Sequence, residues 1–405
     1  MDQCRICESD YVPFISFGQM PIANGFLSLN DFEREYFFEM KVGHCANCNM
    51  VQLIEQPDRE MMFHENYAFF SSTSKAMAAH FAEFADLIIS RHLQGEDPFV
   101  VEIGSNDGIM LQNFKKTGIR HLGVEPSANV AQVAIDKGIE TVSKFFDESL
   151  AQEIVSRQGQ ADAIMAANVM CHIPYLHSVA AGYKKLLKPD SILMFEDPYL
   201  GNIIELTLYD QIYDEHVFLF SVASVSYLFE QYDMEVVDVM PQPTHGGSMR
   251  YVIAHKGAKE ISEATVAQRA KEVELGLHLP ETYDRFRVNI ESSRDKLVSL
   301  LKDIKAAGKR VVGYAATSKS TTINNFCGID SELVEYICDT TPLKQGKYSP
   351  GTHIPIRPYS SFCDNYPDYA LLYAYNHSNE IMGKESKFMD AGGKWIVYVP
   401  EVKVL

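Results

Sequence analysis

Two pairs of cysteines near the amino terminus have the spacing of a metal site. Cys4 and Cys7 form one CxxC pair, and Cys45 and Cys48 form a second. Two such pairs can arrange four thiolates tetrahedrally around Zn²⁺, with each sulfur about 2.3 Å from the metal. The 37 residues between the pairs exceed the roughly 15–20 of a common zinc ribbon, so this segment must loop out and return. Because four thiolates leave no open coordination position, we predict a structural zinc ion, ahead of a redox pair or buried apolar cysteines.

A glycine-bearing turn in E-I-G-S-N-D-G predicts a nucleoside cofactor site. The turn leaves an apolar run and opens a helix, so that the backbone at Gly104 and Gly108 can approach a ligand closely. Glu125 follows 21 residues after Gly104, where a carboxylate can accept hydrogen bonds from both ribose hydroxyls. Asn106 replaces the second glycine of the dinucleotide fingerprint. Because the Glu102 carboxylate would repel two phosphates but attract a sulfonium and an ammonium, we favour S-adenosylmethionine over a dinucleotide, and over a turn that binds nothing.

A second turn of small residues, 313–320, follows another predicted strand. Small residues let the backbone approach a phosphate, and Lys319 adds a positive charge. The turn is not a Walker P-loop, because it lacks G-K-[ST]. Asp339 ends the next strand, and Lys344 and His353 lie in a loop rich in glycine and proline. The alternative interpretation is a structural Rossmann-like domain with a solvated basic loop.

The elements that must position these residues alternate between strands and helices. Apolar residues at helical spacing predict a helix over 75–92. The first α/β block has predicted strands at 99–103, 122–126, 161–169 and 191–199, and an antiparallel hairpin of 235–241 and 249–256 that closes the sheet edge. A helical stretch over about 258–307, broken at Pro280, precedes predicted strands at 310–316, 333–339, 368–375 and 394–400.

This alternation predicts an α/β protein with four parts. We predict a zinc-binding N-terminal module (1–66), a doubly wound central domain (67–257), a helical connector (258–308) and a second Rossmann-like domain (309–405). These names are used below for those ranges.

Composition excludes several classes of partner. The 405 residues include 54 acidic and 36 basic side chains, which gives a formal net charge of −18. That balance argues against binding to nucleic acid or to anionic lipid, both of which need a cationic surface. No apolar run approaches the roughly 20 residues of a membrane helix, and the first residues lack the pattern of a secretory signal. We therefore expect a cytoplasmic protein with reduced cysteines.

Several motifs along the whole chain together resemble the sugar C-methyltransferase family. They are the E-x-G-x-N-x-G turn, the CxxC pairs, residues 67–72, the Tyr213-Asp214-Glu215-His216 run, the H-G-G-S-M-R turn at 245–250 and residues 344–356. The resemblance implies a class I (Rossmann-like) methyltransferase domain. It also implies S-adenosylmethionine-dependent methylation of a ring carbon, C3 by expectation, in a nucleotide-linked 4-keto-deoxysugar during deoxysugar biosynthesis.

The resemblance also implies a set of active-site residues. Methylating a carbon beside a ketone requires a base to remove the α-proton and donors to stabilise the enolate oxygen. We predict His216 as the base, because histidine titrates near neutrality. The other residues that match the family's active site are Tyr67, His172, Tyr213 and Glu215. If 213–216 were helical, Tyr213 and His216 would share a face and Glu215 would point elsewhere.

The remaining predicted contacts concern the two ligands. With the turn residues named above, Ser71 and Asn168 complete the predicted cofactor set. The resemblance implies that the second α/β domain holds the diphosphate and base of the sugar nucleotide, with substrate contacts at His245, Lys319, Asp339, Lys344 and His353. The turn Ala315-Ala316-Thr317-Ser318 departs from the family's pattern, so thymidine and guanosine diphosphosugars both fit. We expect a small-molecule substrate and a monomer or weak homodimer.

Four rival functions can be separated by simple observations. An O-methyltransferase of a sugar nucleotide would give an O-methyl signal in the product NMR spectrum. A nicotinamide-dependent oxidoreductase would retain a dinucleotide. A zinc-guided RNA methyltransferase would bind RNA at low salt, although the acidic composition argues against it. A non-catalytic sugar-nucleotide binding protein would leave S-adenosylmethionine intact.

Overall fold

Three β-sheets organise the chain in the computed structural model, which describes residues 3–62, 71, 75–93 and 95–405. The first sheet lies in the N-terminal module, the second in the central domain and the third in the C-terminal domain. No helix among these described residues is long and apolar enough to cross a membrane.

The N-terminal module is an antiparallel sheet flanked by the two cysteine turns. Its strands are β1 (Val12–Pro21), β2 (Phe37–His44) and β3 (Val51–Leu53), and a short helix α1 (Arg59–Met62) follows. Phe218 and Leu219 of the central domain pair with β3 as a fourth strand. The module therefore shares its sheet with the central domain.

The central domain is the predicted doubly wound sheet. The strands of this domain are β4 (Phe99–Ile103), β5 (Arg120–Val124), β6 (Thr141–Val142), β7 (Ala161–Ala167), β8 (Leu187–Pro198), β9 (Phe218–Leu219), β10 (Met234–Gln242) and β11 (Ser248–His255), of which β9 belongs to the sheet of the N-terminal module. The seven-stranded sheet has the order β10-β11-β8-β7-β4-β5-β6, in which β11 runs antiparallel to both neighbours. The predicted edge hairpin is thereby confirmed. The helices are α2 (Lys75–His92), α3 (Leu111–Lys116), α4 (Ala128–Asp136), α5 (Glu148–Gln158), α6 (Leu176–Leu186), α7 (Leu200–Glu205) and α8 (Val222–Glu230).

Burial explains why the central strands occupy the middle of the sheet. All five residues of β4 are buried, as expected of a strand covered on both faces. Helix α2 covers one face with Phe81, Phe84 and Ile88, which the helical spacing predicted. Burying each such side chain contributes about 1.5–3 kcal/mol. This packing fixes the carboxyl ends of the parallel strands, where ligands bind in such sheets.

The connector consists of α9 (Glu263–Glu274) and α10 (Pro280–Ala306). The predicted break at Pro280 is confirmed, because the proline occupies the first turn of α10, where its missing N–H costs nothing. Tyr283 of α10 packs against Phe14 of β1, with ring centroids 5.1 Å apart. The connector thus contacts the N-terminal module as well as the C-terminal domain.

The C-terminal domain is a smaller, mostly parallel sheet. Its strands are β12 (Val311–Tyr314), β13 (Ile337–Asp339), β14 (Ile356–Pro358), β15 (Tyr369–Leu372), β16 (Lys394–Val397) and β17 (Lys403–Val404), in the order β14-β13-β12-β15-β16-β17. Its helices are α11 (Ser318–Cys327), α12 (Ser360–Cys363), α13 (Ser378–Lys384) and α14 (Ser386–Asp390). The strand predicted over 333–339 was too long. The N–H groups of Leu333 and Val334 both donate to the Asp330 carbonyl, so these residues form a turn.

Candidate active site

One cavity of about 380 Å³ opens where the N-terminal module, the central domain and the C-terminal domain meet. This volume lies within the range of small-molecule sites. Its lining includes the ends of parallel strands in both α/β domains and one loop of the N-terminal module. The predicted site residues among its lining are Ser71, Gly104, Asn106, Glu125, Asn168, His172, Tyr213, Glu215, His216, His245, Lys319 and Lys344. Tyr67 lies outside the described residues.

The glycine turn and Glu125 form one end of the cavity. Gly104 has φ +68°, and a Cβ there would lie 2.2 Å from a methyl group of Val169, so only glycine fits. The Asn106 N–H donates to Glu125 Oε2 at 3.0 Å, and the Ser71 N–H donates to Asn106 Oδ1 at 2.9 Å. These contacts hold a carboxylate at the end of β5, where it can accept from ribose hydroxyls.

Asn168 supplies an unsatisfied acceptor at the same end. It follows β7 with φ +56°, and its buried Oδ1 has no hydrogen-bond partner among the residues that the structure describes. A buried acceptor of this kind needs a donor, which a bound ligand or an ordered water can supply. The ammonium and ribose groups of S-adenosylmethionine would supply donors to Asn168 and Glu125, so the residues present fit that cofactor.

Two residues of the predicted cofactor set do not belong to the described lining of the cavity. Glu102 is buried away from the described lining of the cavity, and burial raises its pKa well above the usual value, an effect that Glu125 reinforces. The predicted pairing of a Glu102 carboxylate with a sulfonium is therefore not supported. Gly108 has φ +78°, and a Cβ there would lie 2.3 Å from Ile139 Cδ1. Glycine is therefore required at position 108 so that Ile139 can pack against the turn.

His216 and Tyr213 form a hydrogen-bonded pair in the cavity. His216 Nδ1 lies 2.6 Å from the Gln211 carbonyl oxygen, which can only accept, so Nδ1 carries the proton. Nε2 of the neutral ring is then an acceptor, and the Tyr213 hydroxyl donates to it at 2.7 Å. Burial lowers the pKa of His216 well below its usual value. The ring is therefore neutral and has its basic nitrogen facing Tyr213.

His172 lies against this pair. It ends a short 3₁₀ turn after β7, and its ring centroid is 5.2 Å from that of His216, with the two rings nearly parallel. The turn is held by the Cys171 N–H, which donates to Asp197 Oδ2 at 3.3 Å. Burial lowers the pKa of His172 to about 4, so this imidazole is also neutral near pH 7.

Glu215 reaches the cavity because the backbone around it is irregular. Residues 213–216 form a turn in which the His216 N–H donates to the Tyr213 carbonyl, so the helical alternative was wrong. Glu215 Oε1 accepts from Asn24 Nδ2 at 2.6 Å. Asn24 belongs to the N-terminal module and also lines the cavity.

The C-terminal domain contributes two partly buried lysines. Lys319 Nζ is buried without a hydrogen-bond partner among the described residues, and its nearest acidic atom is Asp210 Oδ2 at 4.0 Å. Lys344 Nζ donates to the Ala316 carbonyl at 2.7 Å. Burial lowers the pKa of both lysines. Because Lys319 lies in the first turn of α11, an anion there would meet both a charge and the backbone N–H groups of a helix start.

His245 lies in the hairpin turn between β10 and β11. Its φ is +54°, and the neighbouring Gly247 has φ +124°, where a Cβ would lie 2.0 Å from Asn202. Burial lowers the pKa of His245 to about 3, and Lys319 adds to the effect. Its Nε2 has no hydrogen-bond partner within the described part of the chain.

Two predicted substrate contacts do not reach the cavity that the described residues outline. Asp339 accepts from the N–H groups of Ala316 and Thr341, both at 2.7 Å, and so shapes the turn after β12. His353 Nε2 lies 2.7 Å from Glu35 Oε2, and the ring stacks on Phe32 at 3.7 Å. His353 therefore joins the C-terminal domain to the N-terminal module.

Sequence reasoning missed several lining residues. No sequence pattern indicated that Asn24 lines the cavity, because its partner Glu215 lies 191 positions away. Asn376 and His377 follow β15, and the rule that ligands bind at the carboxyl ends of parallel strands could have identified them. Arg59 stacks over Phe145 at 4.2 Å in the cavity wall, a contact between distant segments that has no local signature.

The four N-terminal cysteines form a separate cluster. The sulfur of Cys4 lies 3.5 Å from that of Cys48, and the sulfur of Cys7 lies 3.4 Å from that of Cys45. All four ligand atoms lie within 4.8 Å of one another, and none of the four is in a disulfide. A tetrahedron with metal–sulfur bonds of about 2.3 Å has edges of about 3.8 Å, so the cluster fits a zinc ion with four thiolate ligands.

Comparisons with known proteins agree with this arrangement. Residues 4–63 match the family model of a zinc binding domain, residues 75–239 that of a methyltransferase domain, and residues 243–400 that of a C-methyltransferase C-terminal domain. The C-methyltransferase NovU of Streptomyces niveus is 34% identical over 408 residues, an alignment that covers 100% of this chain and 97% of NovU.

Two solved structures are distantly similar to this chain. A SAM-dependent methyltransferase of Anabaena variabilis aligns with 18% identity and a TM-score of 0.35, covering 44% of this chain and 86% of that one. The PH0226 protein of Pyrococcus horikoshii aligns with 12% identity and a TM-score of 0.37, covering 47% and 95%. These distant likenesses add nothing to the assignment. The full-length similarity to NovU and the matching domain models establish that this chain belongs to the C-methyltransferase family and is an S-adenosylmethionine-dependent enzyme.

Proposed function

We propose that the enzyme methylates the carbon beside the carbonyl of a nucleotide-linked 4-keto-deoxysugar, with C3 as the expected position. One observation carries the proposal. A single cavity combines a cofactor-type strand edge, a neutral His216–Tyr213 pair and the buried charge of Lys319. The strand edge matches the methyl donor, the histidine–tyrosine pair matches the acidic carbon, and the lysine matches the diphosphate of the substrate.

S-adenosylmethionine supplies an activated methyl group on sulfur. In our proposal, Glu125 accepts from its ribose hydroxyls, and Asn168 Oδ1 accepts from its ammonium. Gly104, where a Cβ would meet Val169, keeps the turn in the shape that lines this end of the cavity. Aromatic side chains in the cavity wall, such as Phe145, exclude water from the reacting groups.

His216 is the proposed base and takes the α-proton at Nε2. Burial lowers the pKa of the imidazole, so the ring is neutral near pH 7 and Nε2 has a lone pair. In this structure the lone pair accepts from Tyr213, so the hydroxyl hydrogen must turn toward the substrate before Nε2 takes the α-proton. The resulting imidazolium has an acceptor for each N–H, because Gln211 O faces Nδ1 and Tyr213 Oη faces Nε2. The Tyr213 hydroxyl keeps its proton and donates a hydrogen bond to the enolate oxygen, and His172 is the proposed second donor.

The lysines of the C-terminal domain are proposed to hold the diphosphate. Lys319 has no competing hydrogen bond from the described residues, so a phosphate oxygen would satisfy it. Both thymidine and guanosine diphosphosugars are candidate substrates. In the N-terminal module, Cys4, Cys7, Cys45 and Cys48 are proposed to bind zinc, which would hold the two cysteine turns together.

The test is a screen of keto-sugar nucleotides with S-adenosylmethionine. We expect mass spectrometry to detect the gain of one methylene unit in at least one nucleotide sugar, and NMR to detect a C-methyl signal. His216→Ala is expected to retain cofactor binding and lose turnover, whereas His278→Ala, at an exposed position between the connector helices, serves as the control. An O-methyl product, or no product from any keto sugar, would contradict the proposal.

A further inference from the structure

One loop of the N-terminal module crosses into the active-site cavity and is held on both sides. The Ala23 N–H donates to both carboxylate oxygens of Asp214 at 3.2 Å. The Ala23 carbonyl accepts from the Thr321 hydroxyl at 2.9 Å. Asp214 belongs to the central domain and Thr321 to α11, so the loop is fixed against both α/β domains. This anchoring determines where the next residue, Asn24, lies.

Asn24 meets Glu215 in the cavity wall. Its Nδ2 donates to Glu215 Oε1 at 2.6 Å, and both side chains line the cavity. Glu215 is only 3% exposed, so this contact is shielded from water. A side-chain amide offers two donor hydrogens and an acceptor oxygen, and a carboxylate offers further acceptor positions. The pair can therefore contact one hydroxyl group both as donor and as acceptor.

We infer that Asn24 is a specificity-determining residue, which together with Glu215 binds a hydroxyl group of the substrate. This inference rests on the proposed keto-sugar function, because a deoxysugar carries hydroxyls at some ring positions and lacks them at others. A site built to hydrogen-bond a hydroxyl rejects the analogue without it, since its polar groups are left unpaired. The N-terminal module thereby takes part in substrate selection.

The test compares two variants with two substrates. The variants are Asn24→Ala and the control Asn30→Ala, which changes an exposed asparagine of the same module. The probes are a nucleoside-diphosphate 4-keto-6-deoxyhexose with a hydroxyl beside the carbonyl and its counterpart without that hydroxyl. We expect Asn24→Ala to lower kcat/KM for the hydroxylated probe about tenfold and to leave the value for the deoxy probe unchanged. Asn30→Ala should change neither value.

Affinity for S-adenosylmethionine separates recognition from a general disturbance of the fold. Asn24→Ala should bind the cofactor as the wild type does. Asn24→Asp keeps the size of the side chain but faces Glu215 with a second carboxylate, and it should show the same loss confined to the hydroxylated probe. Equal losses with both probes, or no loss with either, would overturn the inference. Failure of the wild type to methylate either probe would instead refute the proposed function, on which the inference depends.

Discussion

Replacing Lys319 by methionine would separate the binding role of a buried charge from its role in stability. The side chain is only 12% exposed, and its nearest acidic atom is 4.0 Å away on Asp210. Methionine keeps an unbranched side chain in the cavity wall and removes the charge. If the lysine holds a diphosphate, the variant should lose affinity for that group while the fold remains intact.

The expected magnitudes follow from this geometry. A hydrogen bond to a charged group contributes about 1.5–3 kcal/mol, which corresponds to roughly 10- to 150-fold in affinity. Attraction between unit charges 4 Å apart is about 4 kcal/mol at an effective dielectric constant of 20. The cost of burying the lysine offsets that attraction. Burial also raises the pKa of Asp210, so its carboxyl group can take up a proton once the lysine is gone. We therefore expect the free energy of unfolding to change by no more than about 1 kcal/mol.

Calorimetry and steady-state kinetics would measure these effects. Lys319→Met should bind thymidine or guanosine diphosphate at least tenfold more weakly than the wild type and should bind S-adenosylmethionine equally well. Lys305→Met is the matched control, because Lys305 is exposed and pairs with Glu332. Unchanged diphosphate affinity would refute the assignment of Lys319, and an equal loss of both ligands would indicate a collapsed cavity.

Three further predictions concern the buried ion pair of Glu196 with Arg250, the turn at Gly104 and the cysteine cluster. Glu196→Gln should lower the free energy of unfolding by about 3–5 kcal/mol in urea titrations, because it leaves the buried Arg250 without its carboxylate partner. Burial alone would raise the pKa of Glu196, but His80 and Arg250 lower it to about 2, so this stabilisation is present above about pH 4.5 and should be lost as the pH falls toward 2. Wild type and variant should then converge in acid, and a constant difference would contradict the reasoning. Gly104→Ala should weaken S-adenosylmethionine binding at least tenfold, measured by calorimetry, because a Cβ cannot fit at its positive φ; equal affinity would contradict the predicted close approach. Cys4→Ser should reduce zinc content, measured by elemental analysis, and lower Tm, whereas wild-type protein without zinc would exclude the metal site.

The sequence predicted the elements that depend on local patterns. The run of apolar residues in β4, the helical spacing of Phe81, Phe84 and Ile88, and the break at Pro280 all reflect short-range preferences that the tertiary structure retains. The cofactor end of the site follows from the same logic, because parallel strands bring their carboxyl ends together.

The remainder of the site depends on contacts between distant residues. His353 pairs with Glu35, which lies 318 positions away in the sequence. The composition of the loop around His353 therefore could not predict that its side chain lies outside the described cavity lining. Glu215 reaches the cavity only because 213–216 is an irregular turn. Asn24 reaches it because hydrogen bonds to the central and C-terminal domains hold its loop in place. Such placements are determined by packing between domains, which leaves no periodic pattern in the sequence.

The most direct test of the account is exchange of the substrate α-proton with solvent. The enzyme would be incubated in deuterium oxide with a keto-sugar nucleotide that it methylates and with S-adenosylhomocysteine, which cannot donate a methyl group. The account predicts that deuterium enters the carbon beside the carbonyl, and that His216→Asn slows this exchange by about 10²- to 10⁴-fold while cofactor affinity is unchanged. Absence of exchange in the wild type, or equal exchange in the variant, would contradict the proposal that His216 forms the enolate.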